Sequence, residues 1–175
     1  MSVRNSRAMT IVVRPATSAD LEEAGRIAVD AYEAAGQLDD GPHQGYGLVL
    51  GDTASRMRDA HLLVAERDGL IVGTVTICPP GSSVAEIGRA GEVEFRFLAV
   101  DPVAWRSGVA DALIEACDDH ARATGAQSLT ISVRDINHGA RALYEKRGFT
   151  RVPDRDWSPV PNVDLQVLTR PVLPR

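Results

Sequence analysis

The chain has 175 residues, 44% of them apolar, which suits one compact domain with a single buried core. Its net charge of -5 argues against broad binding to nucleic acid or to an anionic membrane, since either needs a cationic surface. No apolar run approaches the ~18 residues of a membrane span, and the start, MSVRNSRAMT, lacks the apolar stretch of a secretion signal, so a cytoplasmic protein is expected. Cys78 and Cys117 are far apart without CxxC spacing, and His43, His61, His120 and His138 show no ligand spacing, so neither a disulfide framework nor a metal site is expected.

Residues 1–9 are polar and irregular and read as a flexible segment ahead of a strand at Ile11 to Arg14. Thr17 or Ser18 caps a first helix, in which Leu21, Ala24, Ala28 and Ala31 recur at helical spacing. Gly36 to Asp52 holds five glycines and a proline and reads as a loop, with a short helix following through Arg58. Three adjacent antiparallel strands are predicted next: His61 to Glu66, Leu70 to Ile77 after a turn at Arg67-Asp68-Gly69, and Glu92 to Val100 beyond Pro79-Pro80-Gly81. A helix then runs from about Gly108 to Thr124, with Val109, Leu113, Ala116 and Cys117 on one stripe and Gly125 as its stop. The remainder reads as a strand at Ser128 to Val133, a helix from about His138 to Arg147 ended by Gly148, and strands near Phe149 to Val152 and Asp164 to Thr169. The order is that of an α+β protein.

The strand Glu92 to Val100 carries the most information. Alternation puts Glu92, Glu94 and Arg96 on one face and Val93, Phe95 and Phe97 on the other, until Phe97-Leu98-Ala99-Val100 runs four apolar residues together. Such a run means either burial on both faces or a bulge that re-aims the backbone and frees its polar groups for a ligand. Asp101-Pro102 ends the strand, and Arg106-Ser107-Gly108-Val109-Ala110 leads directly into the amphipathic helix. The first amides of a helix lack internal partners, its dipole favours negative charge, and glycine lets phosphate oxygens reach the backbone, so a pyrophosphate suits this place.

The segment Val93-Glu94-Phe95-Arg96-Phe97-Leu98-Ala99-Val100-Asp101-Pro102, followed by Arg106-Ser107-Gly108-Val109-Ala110, resembles the central motif of the GCN5-related N-acetyltransferases, the GNAT superfamily. Val133-Arg134-Asp135-Ile136-Asn137, then Ala140 and Ala142-Leu143-Tyr144-Glu145-Lys146-Arg147-Gly148-Phe149, resembles that family's next motif at the expected distance. The resemblance implies the GNAT fold over residues 10–175: a central mixed, mostly antiparallel twisted sheet of six or seven strands, flanked by about four helices and splayed at a bulged fourth strand. It implies acetyl-CoA as cosubstrate, with no metal. The backbone of Leu98, Ala99 and Val100 would pair with the pantetheine arm, and Arg106, Ser107, Gly108, Val109 and Ala110 would cradle the pyrophosphate. Asn137 matches the Asn that touches the cofactor arm, and Tyr144 the tyrosine near its sulfur. One position departs from the pattern, because Trp105 stands where the family usually has Arg or Gln.

Acyl transfer to an amine needs an unprotonated nucleophile, stabilisation of charge on the carbonyl oxygen, and a proton for the leaving thiolate. The mechanism expected here is direct attack, with Glu94 taking the amine proton either directly or through water, Glu92 as runner-up base, a backbone N–H near Leu98 at the carbonyl, and Tyr144 protonating the sulfur. Arg96 shares a face with Glu94, so a plain Glu94–Arg96 ion pair is the competing reading. The acceptor groove would be shaped by Gly36 to Asp52 and Asp154 to Val163, where Asp39-Asp40 and Asp154-Arg155-Asp156-Trp157 suit a cationic amine. A small-molecule or peptide amine is the expected acceptor, its identity left open by the sequence. The resemblance also admits a homodimer, and a catalytically silent acyl-CoA-binding module stands as the alternative function.

Overall fold

The structure is a computed structural model and describes residues 10–38 and 45–175. The flexible segment expected at residues 1–9, together with Asp39, Asp40 and His43, lies outside them. Strand β2 (His61–Arg67) turns into β3 (Leu70–Cys78) through Asp68 and Gly69, whose φ values of 53° and 79° are the left-handed pair that a two-residue hairpin turn requires. β1 (Ile11–Pro15) pairs with β2, and β4 (Glu92–Val100) pairs with β3, all antiparallel.

The second half of the chain extends this sheet. β5 (Ser128–Arg134) runs parallel to β4, and β8 (Val163–Pro171) runs antiparallel to β5. β6 (Thr150–Arg151) and β7 (Trp157–Val160) both pair with β8. Among the described residues the sheet therefore has eight strands, in the order β1-β2-β3-β4-β5-β8-β6 with β7 also on β8. β7 is the strand that residue patterning misses, because Pro159 cannot donate to a ladder and demotes any run that contains it.

Helices cover both faces. α1 (Leu21–Ala34), α2 (Tyr46–Gly51) and α3 (Thr53–Asp59) lie on one, and α4 (Val109–Thr124) and α5 (His138–Lys146) on the other. The stretch from Gly36 to Asp52 is not wholly loop. α2 forms within it because Leu50 is fully buried against α1 and Tyr46 stacks toward Phe97, so packing overrides the poor helix propensity of Gly47 and Gly51. Gly125 closes α4 in the left-handed conformation at φ 72°, its N–H bonding to Ala121 and Arg122 carbonyls.

Two apolar clusters result. Phe95, Leu113, Cys117, Leu129, Phe149 and Leu168 pack between the sheet and α4 and α5. Ile27, Ala28, Leu50, Phe97 and Ala99 pack beneath α1 and α2. Phe97 is thus on the opposite face from Val93 and Phe95, a correction to simple alternation whose cause lies in β4 itself.

Candidate active site

In the ladder between β3 and β4, Thr74 faces Ala99 and Thr76 faces Arg96, so three steps on β4 oppose two on β3. The extra residue is a bulge, with Phe97 in the left-handed region at φ 53°. Arg96 and Phe97 consequently point to the same side, where the Arg96 guanidinium lies 4.5 Å and that of Arg56 4.7 Å from the Phe97 ring centre. Beyond the bulge Leu98 and Val100 return to the face of Val93 and Phe95. Bulk at a left-handed position costs on the order of 1–3 kcal/mol. Burial of the Phe97 ring to 5% exposure offsets it.

The bulge also splits the sheet. The parallel ladder between β4 and β5 ends at Glu94 and Thr130, although β5 continues to Arg134. Over Leu98, Ala99 and Val100 the edge of β4 that faces β5 has no strand partner, and a cleft of about 1380 Å³ opens there. The walls come from β4, β5, the starts of α4 and α5, and α1 and α2.

At one end of this cleft the chain enters α4. Arg106 and Gly108 both have positive φ, 59° and 84°. Gly108 is the N-cap and carries no side chain to bond the first-turn amides of α4, which have no partner inside the helix. Ala110, Arg106, Lys146 and Arg147 line the same end, and Arg147 is paired with Asp111 in the first turn. Uncapped amides, the positive end of a 16-residue helix and basic side chains make an anion site. Ser107 contributes no hydroxyl to it: Oγ donates to the Ala104 carbonyl and accepts from Arg67 Nη1, the latter at 2.9 Å. The Trp105 indole N–H donates to the Val100 carbonyl at 2.8 Å, so Trp105 is fixed along the cleft wall, half-exposed.

Across the cleft, Asn137 caps α5 through Oδ1, which accepts from the Ala140 N–H at 3.0 Å, while the residue itself lines the cavity. Tyr144 packs edge-on between Phe95 and Phe149, at centroid distances of 5.9 and 5.5 Å. Its hydroxyl forms no hydrogen bond with the described residues, and burial raises its pKa, so it keeps its proton at neutral pH. His138 also lines the cleft.

The carboxylates are arranged differently from the sequence-based assignment. Glu94 is 2% exposed and is absent from the cleft wall. Its oxygens accept from the backbone N–H groups of Glu86, Ile87 and Gly88 at 2.9 to 3.1 Å, so it anchors the segment between β3 and β4 and offers no direct path to an amine. Arg96 pairs not with Glu94 but with Glu86, at 2.9 Å, and donates to the Val84 carbonyl at 2.7 Å. Glu92 is held by Arg155 at 2.8 Å; burial pushes its pKa up, but the Arg155 and Arg89 hydrogen bonds outweigh that and the net shift is downward. Asp156 is likewise taken, by Arg151 and the Val167 N–H, and Trp157 Nε1 bonds to Ser132 Oγ at 3.2 Å.

The far end of the cleft is instead lined by Tyr32, Tyr46, Val49, Glu86, Arg96 and Phe97. Patterning missed Glu86 because it sits in an irregular stretch with no motif and becomes visible only through its contact with Arg96. Tyr46, one aromatic in a glycine-rich stretch, was the available signal for α2.

The cleft thus joins an uncapped helix start, an unpaired strand edge and a buried phenol in one elongated space. Comparison with known proteins gives this arrangement a family: the chain belongs to the Acetyltransferase (GNAT) family, whose model matches residues 23–149. It is 34% identical over 104 residues to an IAA acetyltransferase of Azospirillum brasilense, covering 59% of this chain and 63% of that protein. It is 31% identical over 135 residues to a mycothiol acetyltransferase of Sanguibacter keddieii, covering 74% of this chain and 41% of that one. The match thus spans less than two thirds of either relative. Among solved structures, the PaiA N-acetyltransferase of Thermoplasma acidophilum in complex with coenzyme A superposes with a TM-score of 0.71 at 15% identity, over 93% of this chain and 99% of that one. A ribosomal-protein-alanine N-acetyltransferase of Brucella melitensis gives 0.63 at 22% identity, over 93% and 99%. These likenesses establish the fold.

Proposed function

We propose that the protein transfers an acetyl group from acetyl-CoA to the primary amine of a small molecule or peptide, by direct attack of the amine on the thioester. The observation that carries the reading is the conjunction, in one cleft, of an unpartnered β4 edge, the uncapped start of α4 and the hydroxyl of Tyr144. The residues present fit the cosubstrate. Leu98, Ala99 and Val100 offer backbone to an amide-bearing arm, the backbone from Arg106 to Ala110 faces its phosphates, and Asn137 and Tyr144 flank the arm from α5. In the reaction a C–N bond forms and the C–S bond breaks; the attacking nitrogen gives up a proton to a base or to water, a backbone N–H near Leu98 supports the carbonyl oxygen, and the Tyr144 O–H protonates the departing thiolate and regains its proton from solvent.

Trp105 favours a second reading, a silent acyl-CoA-binding module, because its indole already occupies the Val100 carbonyl. The two separate in a pair of measurements. CoA at about one hundred times its Kd adds roughly 2.7 kcal/mol, a Tm rise of about 5–10 °C, in either case. Gly108→Val, strained at φ 84°, should remove most of that rise. Thiol release on adding amines is expected only of the transferase. No stabilisation of the wild type by CoA would refute both.

A further inference from the structure

We propose that Glu86 is the group that takes the proton from the attacking amine. This rests on the acetyl-transfer reading and adds a residue to it. Glu86 lines the cleft on the side away from α4 and α5, beside Tyr46, Arg96 and Phe97. Its position follows from two contacts of the bulged strand. The Glu86 N–H donates to both oxygens of Glu94, and the Arg96 guanidinium, seated on the Phe97 ring, holds Oε1 at 2.9 Å. Arg96 immediately precedes the bulge residue, so a carboxylate tied to it shares one cleft with the strand edge of Leu98, Ala99 and Val100, where the thioester carbonyl is expected. Oε2 accepts no hydrogen bond from the described residues and is the basic atom.

The remaining described carboxylates near this region are committed. Glu94 is filled by three amides and Glu92 by Arg155, while Asp111 belongs to the opposite end and is paired with Arg147. The groups around Glu86 are Arg96, Glu94 and Tyr46. Burial moves the Glu86 carboxyl upward, with Arg96 opposing and Glu94 reinforcing, and that direction suits a base. Side-chain exposure of 32% leaves a route for the proton to solvent. Gly88 suits this close approach: a Cβ there would sit 3.2 Å from Glu94 Cβ and 3.3 Å from Glu94 Oε2, tighter than an ordinary van der Waals contact.

The test compares two nucleophiles in the purified full chain with acetyl-CoA. 2-Phenylethylamine is protonated at neutral pH and needs a base; O-benzylhydroxylamine is unprotonated there and needs one far less. Glu86→Gln should lower kcat/KM for the first by about 10²-fold or more, leave the second within a few-fold, and keep the CoA-induced rise in Tm. Equal losses on both nucleophiles would make Glu86 a merely structural residue and overturn the assignment, as would no loss on either. A wild type that is stabilised by CoA yet releases no thiol with any amine overturns the acetyl-transfer reading itself, a result distinguishable from failure of the Glu86 assignment alone.

Discussion

At the residue scale, burial decides which reactive groups are chemically awake. Cys78 is 2% exposed and its thiol is pushed up to about 12 by burial, with the nearby Glu94 charge adding to it. Cys117 is fully buried and shifted further in the same direction. A thiolate-directed reagent should therefore titrate no fast thiol in the native protein at neutral pH and two after denaturation; a fast native thiol would mean that one of these sites opens readily. Tyr144 lies in the same cluster as Cys117 but also lines the cleft, as Cys78 and Cys117 do not. Phe97 and Glu94 mark the limits of reading residues from sequence. The four-residue apolar run fitted burial on both faces as well as a bulge, and only the backbone decides for the bulge and fixes where the extra residue falls, a position that sends Phe97 to the α1 face and leaves Arg96 to meet Glu86. For Glu94 the sequence offered a base or an Arg96 partner, and not the three amides it binds, because these belong to a segment with no pattern of its own.

At the element scale, the cleft depends on how tightly β3 and α4 approach each other. A Cβ at Gly73 would fall 2.7 Å from Val109 Cγ1 and 3.1 Å from both the Ala99 carbonyl oxygen and Leu113 Cδ1. Gly73→Ala should overpack this contact and cost about 1–3 kcal/mol, read as a lower urea midpoint, with weaker CoA binding because Val109 begins α4. An unchanged midpoint would show that α4 shifts freely. Elements with a strong period were legible: α4 was expected from about Gly108 to Thr124 and spans Val109–Thr124, and β2 to β4 appear in the expected antiparallel order. α2 and β7 were not, since glycine in one and proline in the other hide elements that tertiary packing and pairing with β8 create.

At the scale of the whole molecule, one mixed sheet is joined where β4 and β5 begin but parted where they end, and helices on opposite faces reach the same opening from its two sides. The α4 and α5 side presents uncapped amides and the phenol; the α1 and α2 side presents aromatic walls and Glu86. The first half of that division was legible because its residues sit in contiguous motifs. The second was not, because Tyr32, Tyr46 with Val49, Glu86, and Arg96 with Phe97 belong to four separated stretches that meet only after folding. The most direct test of the account is thiol release from acetyl-CoA across a panel of primary amines, run on the wild type and on Tyr144→Phe. The account predicts release by the wild type with at least one amine, and a fall of about 10²-fold or more in kcat for Tyr144→Phe with the CoA-induced rise in Tm retained. Undiminished turnover by Tyr144→Phe, or a wild type that binds CoA and acetylates nothing, would contradict it.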